Sequence, residues 1–274
     1  MDFYKDISLY YDYIFPFKKT TYNFLLSSIK TDDSNDLRNA KVLDIACGSG
    51  SYSLELGKKV SLVVGTDLDP LMIQQAKNKN KLENVSFKVH NMLDIEKLNI
   101  DETKLNIDET KMKSEEESQL FLENFDMIFC IGNSIAHLDT ILDIEKVIKG
   151  AWNHLNNHGC FIVQIINFNR VLSHNIKSLP TIVDNDEGIE FVRLYSYDKG
   201  KHKIIFKTIL TIESERIDEI YEQSVELYPI QVEELVSLFE KVGFKNIELF
   251  GSFSCEEFDK LTSIPLILRS YKEV

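Results

Sequence analysis

Over the first two thirds of the chain, short apolar runs alternate with segments whose apolar residues recur at helical spacing. That alternation marks β-α-β units, in which strands buried on both faces of a parallel sheet are covered by helices. The runs 41–46, 60–66, 85–89, 125–131 and 160–166 read as buried strands. Helical spacing fills 22–29, 51–59, 70–79 and 141–155 between them. Pro70 suits a first helical turn, with Asp69 before it as an N-cap.

The texture changes after the fifth run. Segments 191–197, 203–212 and 219–227 read as three β segments, and Asp198-Lys199-Gly200 supplies a turn, which predicts an antiparallel meander. Helical spacing returns over 231–242, closed by Gly243, and 246–250 with 265–271 would finish the first sheet as a terminal strand pair. The expected fold is α/β: a Rossmann-like seven-stranded sheet carrying a small antiparallel β insert after strand five. Residues 97–103 recur identically at 104–110, and the acidic run continues through Ser118. This local duplication falls between the third and fourth strands, where lengthening a loop costs little chain entropy. A mobile loop or helical excursion is expected over 95–123.

Charge narrows the partners. With 31 basic and 44 acidic residues the net charge is −13, a field that repels phosphate backbones and anionic lipid surfaces. Nucleic acid and membrane are disfavoured accordingly. No apolar stretch approaches the roughly 20 residues a membrane helix needs, and the first residues carry no secretory pattern, so a cytoplasmic location is expected. Cys47, Cys130, Cys160 and Cys255 are scattered, without the Cys-x-x-Cys spacing of a metal or redox site, and read as reduced thiols. His154 and His158 lie four apart near a helix end, but with no third ligand nearby they read as surface histidines favoured by the helix dipole. No metal is expected.

The chemistry concentrates at the ends of the strands. Val42-Leu43-Asp44-Ile45-Ala46-Cys47-Gly48-Ser49-Gly50 joins a strand to a helix through a glycine-bearing turn, where backbone can approach a ligand and free helix N–H groups attract its anionic parts. Asp67-Leu68 ends the second strand, where a carboxylate can accept hydrogen bonds from two ribose hydroxyls. Together these make a nucleoside-sized site. A nicotinamide dehydrogenase would want a third glycine where Ser53 stands, so that reading is disfavoured.

The segment Asp44 to Gly50 closely resembles motif I of class I S-adenosylmethionine-dependent methyltransferases. The resemblance extends over nearly the whole chain and implies that Asp44, Ala46, Cys47, Gly48 and Gly50 hold the methionine portion of S-adenosylmethionine. Asn91 and Met92 would meet the adenine; an ordinary loop is the alternative. Ile131-Gly132-Asn133-Ser134-Ile135-Ala136-His137-Leu138 is similar to a segment of glycine/sarcosine N-methyltransferases and related amino-sugar enzymes. By that resemblance Ile131 packs on the cofactor while Asn133 and His137 border the methyl-transfer site; a turn role for Asn133 and a structural role for His137 are the alternatives. Tyr11 would lie over the cofactor in an N-terminal lid, or else pack in the core. The likeness to glycine N-methyltransferase weakens after strand five, where Ile166 stands in place of that enzyme's arginine for the substrate carboxylate; Arg170 or Arg193 can compensate. Phe191, Arg193, Tyr195 and Tyr197 share one strand face and would line an acceptor pocket, or simply pack the sheet.

The implied organisation is a lid and first helix at 1–30, a cofactor-binding core at 31–170, a β insert capping the substrate at 171–228 and the rest of the core at 229–274. The implied activity is methyl transfer from S-adenosylmethionine to a small molecule, an amine or amino sugar first. The alternatives are a small-molecule O-methyltransferase and a non-catalytic cofactor-binding module.

Overall fold

The structure, a computed structural model, describes residues 7–30, 36–98, 124–213 and 219–273. The repeat at 97–110 and the loop expected over 95–123 fall almost wholly outside the described residues. Five parallel strands form the heart of one sheet: β1 (Lys41–Ile45), β2 (Leu62–Asp67), β3 (Val85–Val89), β4 (Phe125–Cys130) and β5 (Leu155–Ile166). β10 (Lys245–Phe250) and β11 (Pro265–Tyr271) complete it, and the spatial order is β10-β11-β5-β4-β1-β2-β3. β11 runs antiparallel to both β5 and β10. The expected seven-stranded sheet with its terminal pair is therefore present.

The strands read as continuous apolar runs because both faces are covered. Period-two alternation sends Leu43, Ile45, Ile128, Cys130, Phe161 and Val163 into one core, and Val42, Met127, Phe129, Cys160 and Ile162 into the other. The first core is closed by α5 (Ile141–His154) and α7 (Val232–Val242), through Ile144, Val147, Ile148, Leu235 and Phe239. The second is closed by α2 (Lys19–Ser28), α3 (Ser51–Gly57) and α4 (Pro70–Lys79), through Phe24, Leu25, Leu56, Ile73 and Ala76. The starts of these helices are locally encoded: the Asp69 side chain accepts from the Leu71 N–H beside Pro70, and Thr140 and Asp143 form a reciprocal cap on α5.

After β5 and the short α6 (Phe168–Ser173), a second sheet of four antiparallel strands runs β6-β7-β8-β9: Ser178–Asp184, Ile189–Asp198, Lys203–Ile212 and Glu219–Leu227. The meander expected from three segments gains a fourth strand. β6 escapes the pattern because Pro180 interrupts it, which a strand tolerates at a sheet edge, and its register shifts between Leu179 and Ile182. His154 corrects the surface reading: it is 1 % exposed, with Nε2 2.8 Å from the Ile95 carbonyl oxygen. A bonded core imidazole explains its place on the buried side of α5, and the described residues hold no cluster that could take a metal ion.

The N-terminal segment, with α1 (Tyr11–Ile14), joins the two sheets. Ile7 and Ile14 pack with Phe191, Leu210 and Ile212 of the second sheet. Asp12 meanwhile accepts from Ser49 and Ser51 of the glycine turn and from Lys79 of α4.

Candidate active site

β1 lies where strand order reverses, with β2 on one side and β4 on the other, and crevices at such switch points receive ligands at the carboxyl ends of the strands. A cavity of about 270 Å³ opens there, lined by the ends of β1, β2 and β3, the turn after β4 and Tyr11. Of the residues expected to hold a cofactor, Tyr11, Ala46, Gly48, Asp67, Leu68, Asn91 and Met92 line it, and so does His137.

The turn after β1 is held in a conformation open to a ligand. Ala46, Gly48 and Gly50 all have positive φ, at 59°, 55° and 80°. A Cβ at Gly48 would sit 3.2 Å from the Tyr11 ring, so that glycine lets the ring lie against the turn. Asp67 ties turn to strand: one carboxylate oxygen accepts from the Gly48 N–H and the other from the Asp69 N–H, both at 2.9 Å. Each oxygen keeps a lone pair for a further donor. Burial pushes the Asp67 carboxyl above its ordinary value, against the lowering effect of those backbone donors.

Other expected residues are placed nearby without lining the cavity. Asp44 is 3 % exposed and accepts from Ser53 Oγ at 2.6 Å, which fastens β1 to α3; burial pushes its carboxyl up to about 8, with the Asp67 charge adding to the shift. Gly50 starts α3 where a Cβ would meet the Phe87 ring at 2.6 Å. Cys47 and Ile131 pack against the second core. Asn133, at φ 70°, donates its N–H to the Gln164 carbonyl and accepts from the Ile166 N–H at 2.9 Å, so it stitches the turn after β4 to β5. Asn91, which does line the cavity, spends its side-chain oxygen capping the turn that begins at Met92, at 3.0 Å from the Leu93 N.

His137 ends the helical turn Ser134–His137, and burial pushes its pKa down to about 4, so the imidazole is neutral at physiological pH. Residues not expected at the site from the sequence also line the cavity, among them Asp69, Met72, His90, Ser134, Asp139 and Asp143. Asp69 and Asp143 carry legible capping signals, but capping alone does not point to a ligand. The described lining includes four carboxylates, from Asp67, Asp69, Asp139 and Asp143, and no lysine or arginine. Such a lining favours cationic ligands.

A mostly parallel sheet with a switch-point cavity, a ligand-open glycine turn and a carboxylate at the end of β2 are the features of a Rossmann-like cofactor-binding domain. The chain belongs to the methyltransferase-domain family, whose model matches residues 36–224, and it is a class I enzyme using S-adenosylmethionine. A glycine/sarcosine N-methyltransferase of Aphanothece halophytica is 22 % identical over 219 residues, covering 78 % of this chain and 69 % of that one. The fold is also that of a solved S-adenosylmethionine-dependent methyltransferase from Clostridium acetobutylicum, with TM-score 0.74, 16 % identity and 99 % of each chain covered. An amino pentose methyltransferase of Micromonospora echinaspora, solved with S-adenosylmethionine bound, superposes with TM-score 0.67 at 14 % identity, over 98 % of this chain and 96 % of that one.

The residues present fit that cofactor. Tyr11 lies against a turn whose Gly48 leaves room for the ring, and Asp67 presents a carboxylate with lone pairs to spare at the same strand edge.

Proposed function

We propose that this enzyme methylates the nitrogen of a small-molecule amine or amino sugar. The observation that carries the reading is the carboxylate-lined cavity, without a lysine or arginine among its described lining, that includes a neutral His137. Asp67 would hold the ribose hydroxyls, Met92 and Leu68 would bound the adenine, and Tyr11 would cover the cofactor from the N-terminal segment. When bound, S-adenosylmethionine supplies a methyl group on a sulfonium; the acceptor's lone pair forms the new bond as the sulfur–carbon bond breaks, and sulfur keeps the pair. The carboxylates attract a cationic amine, which gives its proton to solvent before it attacks, and the neutral His137 accepts a hydrogen bond from a remaining N–H and so orients the lone pair. Asn133 acts through backbone, by fixing the turn that presents Ser134 and His137. The glycine/sarcosine and amino pentose enzymes among the relatives support a small nitrogen acceptor.

Calorimetric titration with S-adenosylmethionine and S-adenosylhomocysteine tests the cofactor site. Both should bind wild type, and Asp67→Ala should weaken both by about 30-fold or more, the worth of two charge-assisted hydrogen bonds. A screen of amines and amino sugars with product analysis then tests the acceptor. Methyl groups recovered only on oxygen would overturn N-methylation, and His137→Ala and Asn133→Ala that both kept full turnover would remove these two from the site.

A further inference from the structure

A second cavity, of about 300 Å³, lies where the short α6 meets the hairpin end of the four-stranded sheet. Local structure shapes it. After Ser173 the chain closes in a left-handed turn: Asn175, at φ 51°, donates its N–H to the Leu172 carbonyl at 3.3 Å, and Ile176 donates to the Val171 carbonyl at 2.9 Å. That pair of bonds ends a helix and turns the chain back, and Val171 and Ile176 both line the cavity. The next residue, Lys177, is tied to β7 through its carbonyl, which accepts from the Tyr195 N–H at 2.7 Å. Across the cavity the Asp198 side chain accepts from the Gly200 and Lys201 N–H groups, which fixes the turn that carries Lys199.

The lining has two characters. Val171, Leu172, Ile176 and Ile204 supply aliphatic surface, and the Tyr197 ring, whose hydroxyl oxygen is 2.7 Å from His202 Nδ1, adds an aromatic wall. Lys177 and Lys199 complete it as exposed cations, and the described lining holds no carboxylate. In a chain with 44 acidic and 31 basic residues that combination stands out. Nearby lysines follow the acidic surplus: Lys201, Lys203 and Lys207 pair with Glu226, Asp139 and Glu222, whereas no such pair among the described residues involves Lys177 or Lys199. Two ammonium groups beside an apolar wall attract an amphipathic anion, whose body covers the wall and whose negative group meets the heads. The volume is at the small end of ligand cavities and suits one ring with a short chain. The methyl-transfer cavity has the opposite polarity, and the two described linings share no residue.

The hairpin that carries Lys199 also touches the methyl-transfer cavity. Lys203 Nζ donates to the Asp139 carbonyl at 2.7 Å, and the Tyr228 N–H donates to the Ala136 carbonyl at 2.8 Å. His202, bonded to Tyr197, meets the Tyr228 ring edge-on at 5.8 Å. His137 and Asp139, on the turn so held, both line that cavity. We propose that the second cavity binds a small aromatic carboxylate, an effector distinct from the methyl acceptor, with its carboxylate between Lys177 and Lys199 and its ring against Tyr197. The site stands whichever atom of the acceptor is methylated. Its occupant braces the β7–β8 hairpin against α6 and, through Lys203 and Tyr228, the turn at 136–139 that borders the cofactor.

Calorimetry with benzoate, phenylacetate and 3-phenylpropionate, each compared with its primary amide and with acetate, tests the site. At least one acid should bind with a Kd below about 1 mM, and about 10-fold or more tightly than its amide or acetate. Lys177→Met and Lys199→Met should each weaken that acid by roughly 3- to 5-fold. Ile176→Trp, which fills the cavity and keeps both lysines, should abolish its binding. Without acid, all three variants should bind S-adenosylhomocysteine as wild type does, which shows that they fold. With acid saturating, wild type should bind S-adenosylhomocysteine about 5-fold more tightly, and S-adenosylmethionine should leave the acid unmethylated. No acid binding, an amide or acetate that binds equally well, or binding that survives Ile176→Trp would overturn the site. An S-adenosylhomocysteine affinity indifferent to the acid would overturn the effector role, and a methylated acid would overturn its separation from the acceptor.

Discussion

Asp44 is the acid that opens the glycine turn, yet its surroundings make it a buried carboxyl bonded to Ser53 rather than a wall of the cavity. Its folded pKa, about 8, lies above the ordinary 3.8, so the native state holds this proton more tightly than the unfolded chain. The resulting stability is complete below the ordinary value and is lost as pH rises through about 8. Asp44→Asn, which keeps shape and removes the ionisation, should flatten the decline seen by denaturant unfolding between pH 5 and 9 and be the more stable protein at pH 9 by on the order of 1 kcal/mol. His137 has the opposite sign: burial pushes it down to about 4, so it is neutral wherever the fold is intact near pH 7. The pH profile of kcat/KM should therefore show no limb from His137 between pH 6 and 8, and any rise there should move with the acceptor amine's own pKa when acceptors are exchanged.

At the scale of elements, the N-terminal segment owes its position to two unlike contacts. Its apolar side packs Ile7 and Ile14 on the second sheet, while Asp12 takes hydroxyls and an ammonium from the glycine turn and α4. The ammonium pair is about 40 % exposed on both sides, and such pairs contribute little to global stability. Asp12→Ala should accordingly shift the melting temperature by no more than a few degrees, yet speed cofactor release several-fold in stopped-flow experiments, because the ring of Tyr11 is the next residue along. Gly50 behaves differently. At φ 80°, and with the Phe87 ring 2.6 Å from where an added Cβ would lie, Gly50→Ala should cost about 3 kcal/mol or more and leave little folded protein. Such elements differ in how far the chain announces them. The caps at Asp69 and Thr140 and the alternation in β1 to β5 are local and readable; β6 is not, because Pro180 breaks its pattern and only pairing with β7 makes it a strand.

At the scale of the molecule, cofactor site and insert are joined through residues far apart in sequence, so a ligand at one should be felt at the other. S-adenosylhomocysteine at about 100 times its Kd should stabilise the fold by roughly 2.7 kcal/mol, and hydrogen exchange should slow in α1 and β7 along with the glycine turn. Protection confined to the turn would show that the N-terminal segment does not couple the two sheets. The order of elements, the parallel sheet and the cluster of turn glycines with Asp67 were determined by the sequence alone, because burial on both faces and a strand-to-helix turn leave local, periodic marks. Tertiary structure alone decided which of the marked residues line the cavity. It turned Asp44 and Asn133 inward as fasteners, buried His154, and brought the carboxylates of Asp139 and Asp143 to the cavity. Those outcomes depend on contacts between residues distant in the chain, and no local pattern records whether a polar atom, once buried, has found its partner.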